Sequence, residues 1–222
     1  MVTLDGEFQS YERLIWEWQG RFNLVSRGDL EKIRDRHIND ALKLYELFPD
    51  LKFQKAIDVG SGAGFPGLPL AIARPEKKFV LVESIAKKCT FLKAVVTGIR
   101  LENVTVSCAR SEELGRDSFH REQYDLAVAR ALAHPVAALE LVLPFARVGG
   151  ACVFWGSGPD WADRGRIEKA AEMLGGGYKG EKPYRLLGDD RERKLILIEK
   201  ISSTLGKYPR RPGVVKKTAK II

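Results

Sequence analysis

Residues 56–70 read AIDVGSGAGFPGLPL: an apolar run reaches Asp58, breaks into glycines at positions 60, 62, 64 and 67, and resumes as apolar residues. Glycine takes positive φ without a Cβ clash, so a strand that ends this way lets backbone approach a ligand closely. Outward from this turn the chain alternates. The short runs KAIDV, KFVLVE, NVTVSC, YDLAVAR, GACVFW and RKLILIE are rich in Val, Ile, Leu and Ala. The first five are apolar at nearly every position, as strands covered on both faces are. Helical stretches at 68–73, 86–97, 135–146 and 161–174 lie between them. Strand–helix alternation predicts an α/β fold with a mostly parallel sheet. Residues 175–200 supply two strands joined by a charged turn, a terminal antiparallel hairpin that completes seven strands.

Upstream, residues 7–48 read as helical. Leu14, Ile15, Trp18 and Phe22 form one apolar stripe, and Leu30, Ile33, His37, Ala41 and Leu44 form a second. Turn and cap residues at 26–29 separate the two, and Pro49 stops the second. The expected organisation is a helical cap over 1–50, a main domain over 51–200 and a basic tail over 201–222, packed on or extending from the same domain.

The chain has 222 residues and a net charge of +8. The charge is concentrated at the end. Lys200, Lys207, Arg210, Arg211, Lys216, Lys217 and Lys220 face no acid after residue 199, and the rest of the chain is nearly neutral. A neutral body with a basic tail suggests a polyanionic partner or a solubilising tail. No run approaches the roughly 18–20 apolar residues of a membrane span, and the first residues carry acids rather than an apolar signal. The expectation is a cytoplasmic protein with no membrane partner. Cys89, Cys108 and Cys152 lack a C-x-x-C spacing and the three histidines do not cluster. No metal is expected, and all three thiols are expected to be buried and reduced.

The glycine turn fits two patterns. Gly62, Gly64 and Gly67 fit G-x-G-x-x-G, the dinucleotide fingerprint, which would point to an NAD(P)-dependent oxidoreductase. Asp58, Gly60, Gly62 and Gly64 fit D-x-G-x-G-x-G, the first motif of methyltransferases that use S-adenosylmethionine. Glu83 ends the second strand and can hold ribose hydroxyls in either class. Asp58 separates them better: a carboxylate beside the glycines would oppose a pyrophosphate and attract a sulfonium or an amino group. Pro66 and Pro69 also remove N–H donors that a phosphate would use at the next helix entry. Beyond the third strand, Ser111 and Glu112 could bind an adenine edge or cap a helix. Beyond the fourth, Arg130 could hold a cofactor carboxylate, meet a substrate phosphate, or pair with Asp58 or Glu83. His134 lies in a loop with no evident partner. No nucleophile–base constellation emerges, which suits a substrate atom with a free lone pair, such as a purine N7, or a binding factor without catalysis.

The segments FNLVS, RHINDAL, IDVGSGAGFPGLPLAIARPE, LVESIAKKCTFLKAV, LENVTVSCARSEEL, VARALA and KYPRRPG span nearly the whole chain. Together they resemble the RsmG (GidB) family of bacterial small-subunit rRNA methyltransferases. The resemblance implies a Rossmann-like class I methyltransferase fold and S-adenosylmethionine-dependent methylation of N7 of a guanine in the 530 loop of 16S rRNA. It implies cofactor contacts at Gly60, Phe65, Ser111, Glu112 and Arg130, with Gly62, Gly64, Glu83 and Ser84 beside them. It also implies 16S rRNA or the small ribosomal subunit as partner of a monomer, with phosphate contacts from Arg36, His37, Lys87, Lys88, Arg210 and Arg211. Two departures stand out: Asp40-Ala41 where many members have Asp-Ser, and a longer segment between Glu113 and Tyr124.

Overall fold

In the computed structural model, which describes residues 4–215, every apolar run becomes a strand of one sheet. The strands are β1 (Lys55–Val59), β2 (Lys78–Glu83), β3 (Val104–Cys108), β4 (Tyr124–Arg130), β5 (Ala146–Gly156), β6 (Gly176–Leu186) and β7 (Asp189–Lys200). Their order is β3-β2-β1-β4-β5-β7-β6. β1 to β5 run parallel, and β7 pairs antiparallel with both β5 and β6. The expected fold class therefore holds, terminal hairpin included.

Both faces are covered, and strand residues alternate between two apolar clusters. Ala56, Phe79, Leu81, Leu126 and Val128 point to one cluster, with α1 (Leu4–Gln19), α2 (Asn39–Leu47), α3 (Gly67–Ala73) and α4 (Ala86–Gly98). Ile57, Val59, Val82, Ala127 and Ala129 point to the other, with α5 (Ser111–Leu114), α6 (Pro135–Val142) and α7 (Arg164–Met173). β3 departs from the all-apolar expectation: it is an edge strand with Thr105 and Cys108 exposed, so Cys108 is not a buried thiol as Cys89 and Cys152 are. Chain order runs outward from β1 to β3, then restarts at β4 on the other side. That reversal leaves a crevice beyond the carboxyl ends of β1 and β4, where doubly wound sheets bind ligands.

The N-terminal region is less regular than its apolar stripes predict. α1 starts at Leu4, ends before Phe22, and buries Phe8, Tyr11 and Ile15. After it come a 3-10 turn (Arg27–Lys32) and a π-helical turn (Arg34–Ile38) that runs into α2. A π turn inserts one residue into the helical repeat and re-aims the residues beyond it, and such turns recur at functional sites. Here it directs Arg36, His37 and Asp40 toward the crevice side of the sheet, where all three line one cavity.

The described part of the tail packs on the domain. Tyr208 and Pro209 are buried, and Arg116 and Arg121 donate to the carbonyls of Pro209 and Tyr208. Lys200 is fully buried at the end of β7, donating to the Leu143 carbonyl at 3.0 Å and lying 3.2 Å from Glu122. Arg210 chelates Glu140, a residue of α6 that is only 3% exposed, and its backbone N–H donates to the same carboxylate at 2.7 Å. These two basic residues hold the tail on the domain; the guanidinium of Arg210, expected at an RNA phosphate, is engaged by Glu140 in this structure. Arg211 is exposed; Lys216, Lys217 and Lys220 lie outside the described residues. No helix among the described residues is long and apolar enough to cross a membrane. Removing one partner of a buried pair leaves an uncompensated charge, so Arg210→Ala is expected to lower stability by about 3 kcal/mol in urea denaturation. A loss below about 0.5 kcal/mol would mean that the tail is not docked through this pair.

Candidate active site

The glycine turn is pinned at both ends. The N–H groups of Gly60 and Ser61 donate to the Val82 carbonyl at 2.8 and 3.0 Å, and Tyr11 of α1 donates to the Ala63 carbonyl at 2.5 Å. Gly60, Gly62 and Gly64 all have positive φ, at 76°, 59° and 99°. Their surroundings differ. A Cβ on Gly64 would lie 2.8 Å from the Tyr11 hydroxyl, so that glycine serves packing. A Cβ on Gly62 would meet only the Gly60 carbonyl at 3.9 Å, and would project into open space. That space is a pocket of about 230 Å³ beyond β1 and β2, lined by Gly60, Gly62, Glu83, Ser84, Lys88, Ser111 and Glu112 among others.

Glu83 organises this pocket. It is 6% exposed, and its two oxygens accept the N–H groups of Gly62 and Ile85 at 2.9 and 2.8 Å. A carboxylate held this way keeps lone pairs for ligand hydroxyls. Asp58 does something other than the sequence suggests. It is fully buried, lines no part of the pocket, and accepts the Gly67 N–H at 3.0 Å. Burial raises its pKa to about 7, against the lowering effect of that bond. The helix N-terminus that would meet a pyrophosphate is thus filled by the chain's own carboxyl group. A Cβ on Gly67 would come within 2.7 Å of that carboxyl, so Gly67 too is a packing glycine.

A second cavity of about 690 Å³ adjoins the first, and Ala131, just after β4, lines both. Ala131 has φ 53°, a left-handed conformation that costs a non-glycine residue about 1 kcal/mol. Asp40, 3% exposed, is the hub of the second cavity. Its carboxylate accepts from Arg130 at 2.8 Å and from the Tyr184 hydroxyl at 2.7 Å, and Arg193 lies 3.7 Å away. Its backbone carbonyl accepts from Trp155 Nε1 at 2.9 Å. Arg130 also donates to His37 Nδ1 at 3.0 Å, since a guanidinium cannot accept; the His37 proton therefore sits on Nε2. The His37 ring stacks on Phe65 at 4.9 Å, and the Arg130 guanidinium lies over Phe65 at 5.0 Å. Burial, with Arg130 adding to it, depresses the His37 pKa to about 4. Arg36 pairs with Asp29 at 2.6 Å, and Asp189 takes Arg191 and Arg193 at 2.6 Å each. The arginines of this cavity are therefore nearly matched by aspartates.

The structure thus brings Gly60, Gly62, Glu83, Ser84, Ser111 and Glu112 together at one pocket. Gly64, Phe65 and Arg130 are not on its lining: Gly64 and Phe65 pack beneath the site, and Arg130 faces the neighbouring cavity. Arg130 pairs with Asp40 rather than with Asp58 or Glu83. Ser111 is the first residue of α5 and not its cap, since Arg110 holds the cap position without a side-chain bond. Of the cations assigned to RNA, Lys88 turns to the pocket, Lys87 is exposed beside it, and Arg36 is bound to Asp29. His134 lines the second cavity, 3.9 Å from Asp160. Sequence reasoning gave no site role to Asp40, Trp155, Tyr184 or Arg193. Asp40 left a signal, an acid on the buried face of an apolar stripe; Tyr184 left none, because its place depends on how the hairpin folds back. No cluster that could hold a metal occurs among the described residues.

The chain matches the family model of rRNA small subunit methyltransferase G over residues 5–158. It is 43% identical over 209 residues to the Ribosomal RNA small subunit methyltransferase G of Roseiflexus sp. (strain RS-1), covering 94% of this chain and 88% of the relative. Its identity to the protein of the same name from Carboxydothermus hydrogenoformans is 38%, over 95% of this chain and 89% of that one. Among solved structures, a putative methyltransferase from Bacillus halodurans superposes with a TM-score of 0.57 at 14% identity, over 74% of this chain and 100% of that one. M. jannaschii TYW2 in complex with AdoMet gives 0.56 at 16% identity, over 80% and 78%. The fold is that of the class I methyltransferases.

Because Gly62 faces the pocket, Gly62→Val is expected to abolish binding of S-adenosylhomocysteine in calorimetry while the protein stays folded; undiminished affinity would remove the pocket from the cofactor site. The two perturbed titrations carry opposite signs. The folded chain resists protonating His37 until about pH 4, so its contribution to stability is lost as pH falls from about 6.5 toward 4. The folded chain keeps the Asp58 proton up to about pH 7, so that contribution is lost as pH rises from about 4 to 7. His37→Asn removes only the first, and its stability in urea is expected to fall more steeply with rising pH across this window than the wild type's. A slope equal to the wild type's would show that His37 titrates normally.

Proposed function

The chain belongs to the rRNA small subunit methyltransferase G family, and from that premise we propose that it methylates N7 of a guanine in the 530 loop of 16S rRNA, using S-adenosylmethionine. The observation that carries this reading is the pair of cavities sharing Ala131. The first suits the cofactor: Glu83 would hold ribose hydroxyls, the bare face of Gly60 and Gly62 would admit the chain next to the sugar, and Ser111 and Glu112 would meet the adenine. The entry of α3, where a pyrophosphate would take backbone N–H groups, is occupied by Asp58. Bound there, S-adenosylmethionine supplies a methyl group on a sulfonium.

The second cavity suits the acceptor base. Its arginines are matched by Asp29, Asp40 and Asp189, so it offers little surplus charge to a phosphate. Trp155, Trp161 and Tyr184 supply apolar surface for a flat heterocycle. A base must leave its stack to reach such a cavity, which favours an accessible loop nucleotide as substrate. Asp40 fixes Arg130 from one side and His37 holds it from the other, and the left-handed Ala131 keeps the wall between the cavities free of a larger side chain. These groups orient the base and exclude water; none needs to remove a proton, because N7 of guanine carries a free lone pair. Lys87 and Arg211, both exposed, would meet RNA phosphates, which position the enzyme without choosing the base.

Methylation of 16S rRNA, naked or in small subunits, with mass mapping of the product, tests this reading. N7-methylguanine at a single site of the 530 loop is expected, with kcat flat from about pH 6 to about pH 8 because no general base titrates there. A methyl group on another atom, or none, would overturn it.

A further inference from the structure

The opposite end of the sheet carries a cavity of about 450 Å³ that this reaction does not use. The segment before β1 (Lys52, Phe53, Gln54), the segment before β2 (Arg74, Lys77) and the first residues of β4 and β5 contribute to its lining. It lies at the amino ends of the strands, so the length of β1 separates it from the glycine turn by roughly 17 Å.

Its charge is arranged differently from that of the base cavity. Asp125 is the only carboxylate on the lining, and it is already engaged. One of its oxygens accepts the backbone N–H groups of Gln54 and Lys55 at 2.8 and 2.9 Å, and the other accepts from Arg147 at 2.7 Å. Arg74 and Lys77 make no salt bridge among the described residues. Each instead rests on an aromatic ring: Arg74 lies 4.6 Å from the centre of Tyr45 and Lys77 lies 5.9 Å from that of Phe53. The two rings are parallel within 3°, with centres 6.4 Å apart. Tyr45 is fixed in turn by donating to the Leu70 carbonyl at 3.0 Å. Lys55, at the start of β1, lies 4.5 Å from the ring of Tyr124. The acids nearest in sequence, Asp50 and Glu76, are exposed and line no part of the cavity.

A carboxylate partner would fix a cation by cancelling its charge. An aromatic face fixes it and leaves the charge available. Arg74 and Lys77 therefore present positive charge beside Lys52 on a wall whose one lining carboxylate among the described residues, Asp125, is already engaged. General basicity does not explain this, because residues 1–199 are nearly neutral overall.

We infer that this cavity binds phosphate groups of the RNA backbone, as an anchor for the substrate away from the reacting base. The ring faces are covered by the cations, so the contact is with phosphodiesters rather than stacked bases, and it is independent of sequence. The inference rests on the rRNA substrate proposed for the active site, since only an extended polyanion reaches both ends of the sheet.

Arg74→Gln/Lys77→Gln and the charge-reversed Arg74→Glu/Lys77→Glu test it by filter binding to 16S rRNA and to small subunits over a range of salt. S-adenosylhomocysteine affinity serves as the check of folding. The glutamine pair is expected to weaken RNA binding about tenfold and to reduce the slope of log K against log salt by about 1.4–1.8. The glutamate pair is expected to weaken binding further. In methylation of small subunits, KM rises while kcat at saturation is unchanged. Unchanged RNA affinity and salt slope in both variants, with cofactor binding intact, would overturn the anchor. Wild-type protein that binds rRNA without methylating it would fail the proposed methylation and not the anchor.

Discussion

The buried carboxylate of Asp40 is the point on which the functional half of the molecule hangs. It accepts from Arg130 at the end of β4 and from Tyr184 on β6, lies within 3.7 Å of Arg193 on β7, and its own carbonyl takes Trp155 of β5. One residue from the N-terminal region thus ties down four strands that come together only after the whole chain has folded. A buried charge is tolerable only when several donors meet it, and such a network is specific because a missing donor leaves the rest unsatisfied. The π-helical turn just before Asp40 makes the meeting possible, since it shifts the helical repeat and brings His37 and Asp40 to the same cavity.

The two carboxyl groups around the glycine turn divide the work by burial. Glu83, at the pocket, binds two loop N–H groups and still faces the ligand space. Asp58 is sealed beneath the turn, where it closes the entry of α3 onto β1 through Gly67. The pattern D-x-G-x-G-x-G therefore combines a structural acid with glycines of separate functions. Gly62 opens on the pocket, while Gly64 and Gly67 are bare because Tyr11 and Asp58 leave no room for a Cβ. Local strain collects in the same place, with Ala131 left-handed between the two cavities.

Charge follows the same division of space. Around the second cavity the arginines are matched by aspartates. At the far end of the sheet Arg74, Lys77 and Lys55 are held by aromatic rings and keep their charge. The basic tail, the most conspicuous cationic feature of the sequence, turns out to be partly internal: Lys200 and Arg210 satisfy Glu122 and Glu140, and the second pair holds residue 210 against α6. A basic residue near the C-terminus is read from sequence as a free charge, but its partner lies 70 residues away in the case of Arg210.

The sequence by itself determined the fold class, the place of the cofactor turn and the acid after the second strand. Each of these depends on local order: apolar runs covered on two faces, glycines where φ must be positive, and a side chain at a strand's carboxyl end. It also carried the family, through motifs spread along most of the chain. Its reading stopped short where a side chain's partner is distant in the chain. Asp58 next to the glycines looked like a ligand group and is a buried cap. Phe65 and Arg130, expected at the cofactor, do not line the smaller pocket: Phe65 packs under His37 and Arg130, and Arg130 lines the neighbouring cavity. Arg210 read as a free cation and pairs with the buried Glu140. Asp40 stood out only for the alanine beside it, and Tyr184, Trp155 and Arg193 not at all, because only the π turn and the returning hairpin bring the four together. Spacing along a chain encodes backbone geometry; which charges are cancelled and which remain available is decided by long-range packing, and only the tertiary structure carries that.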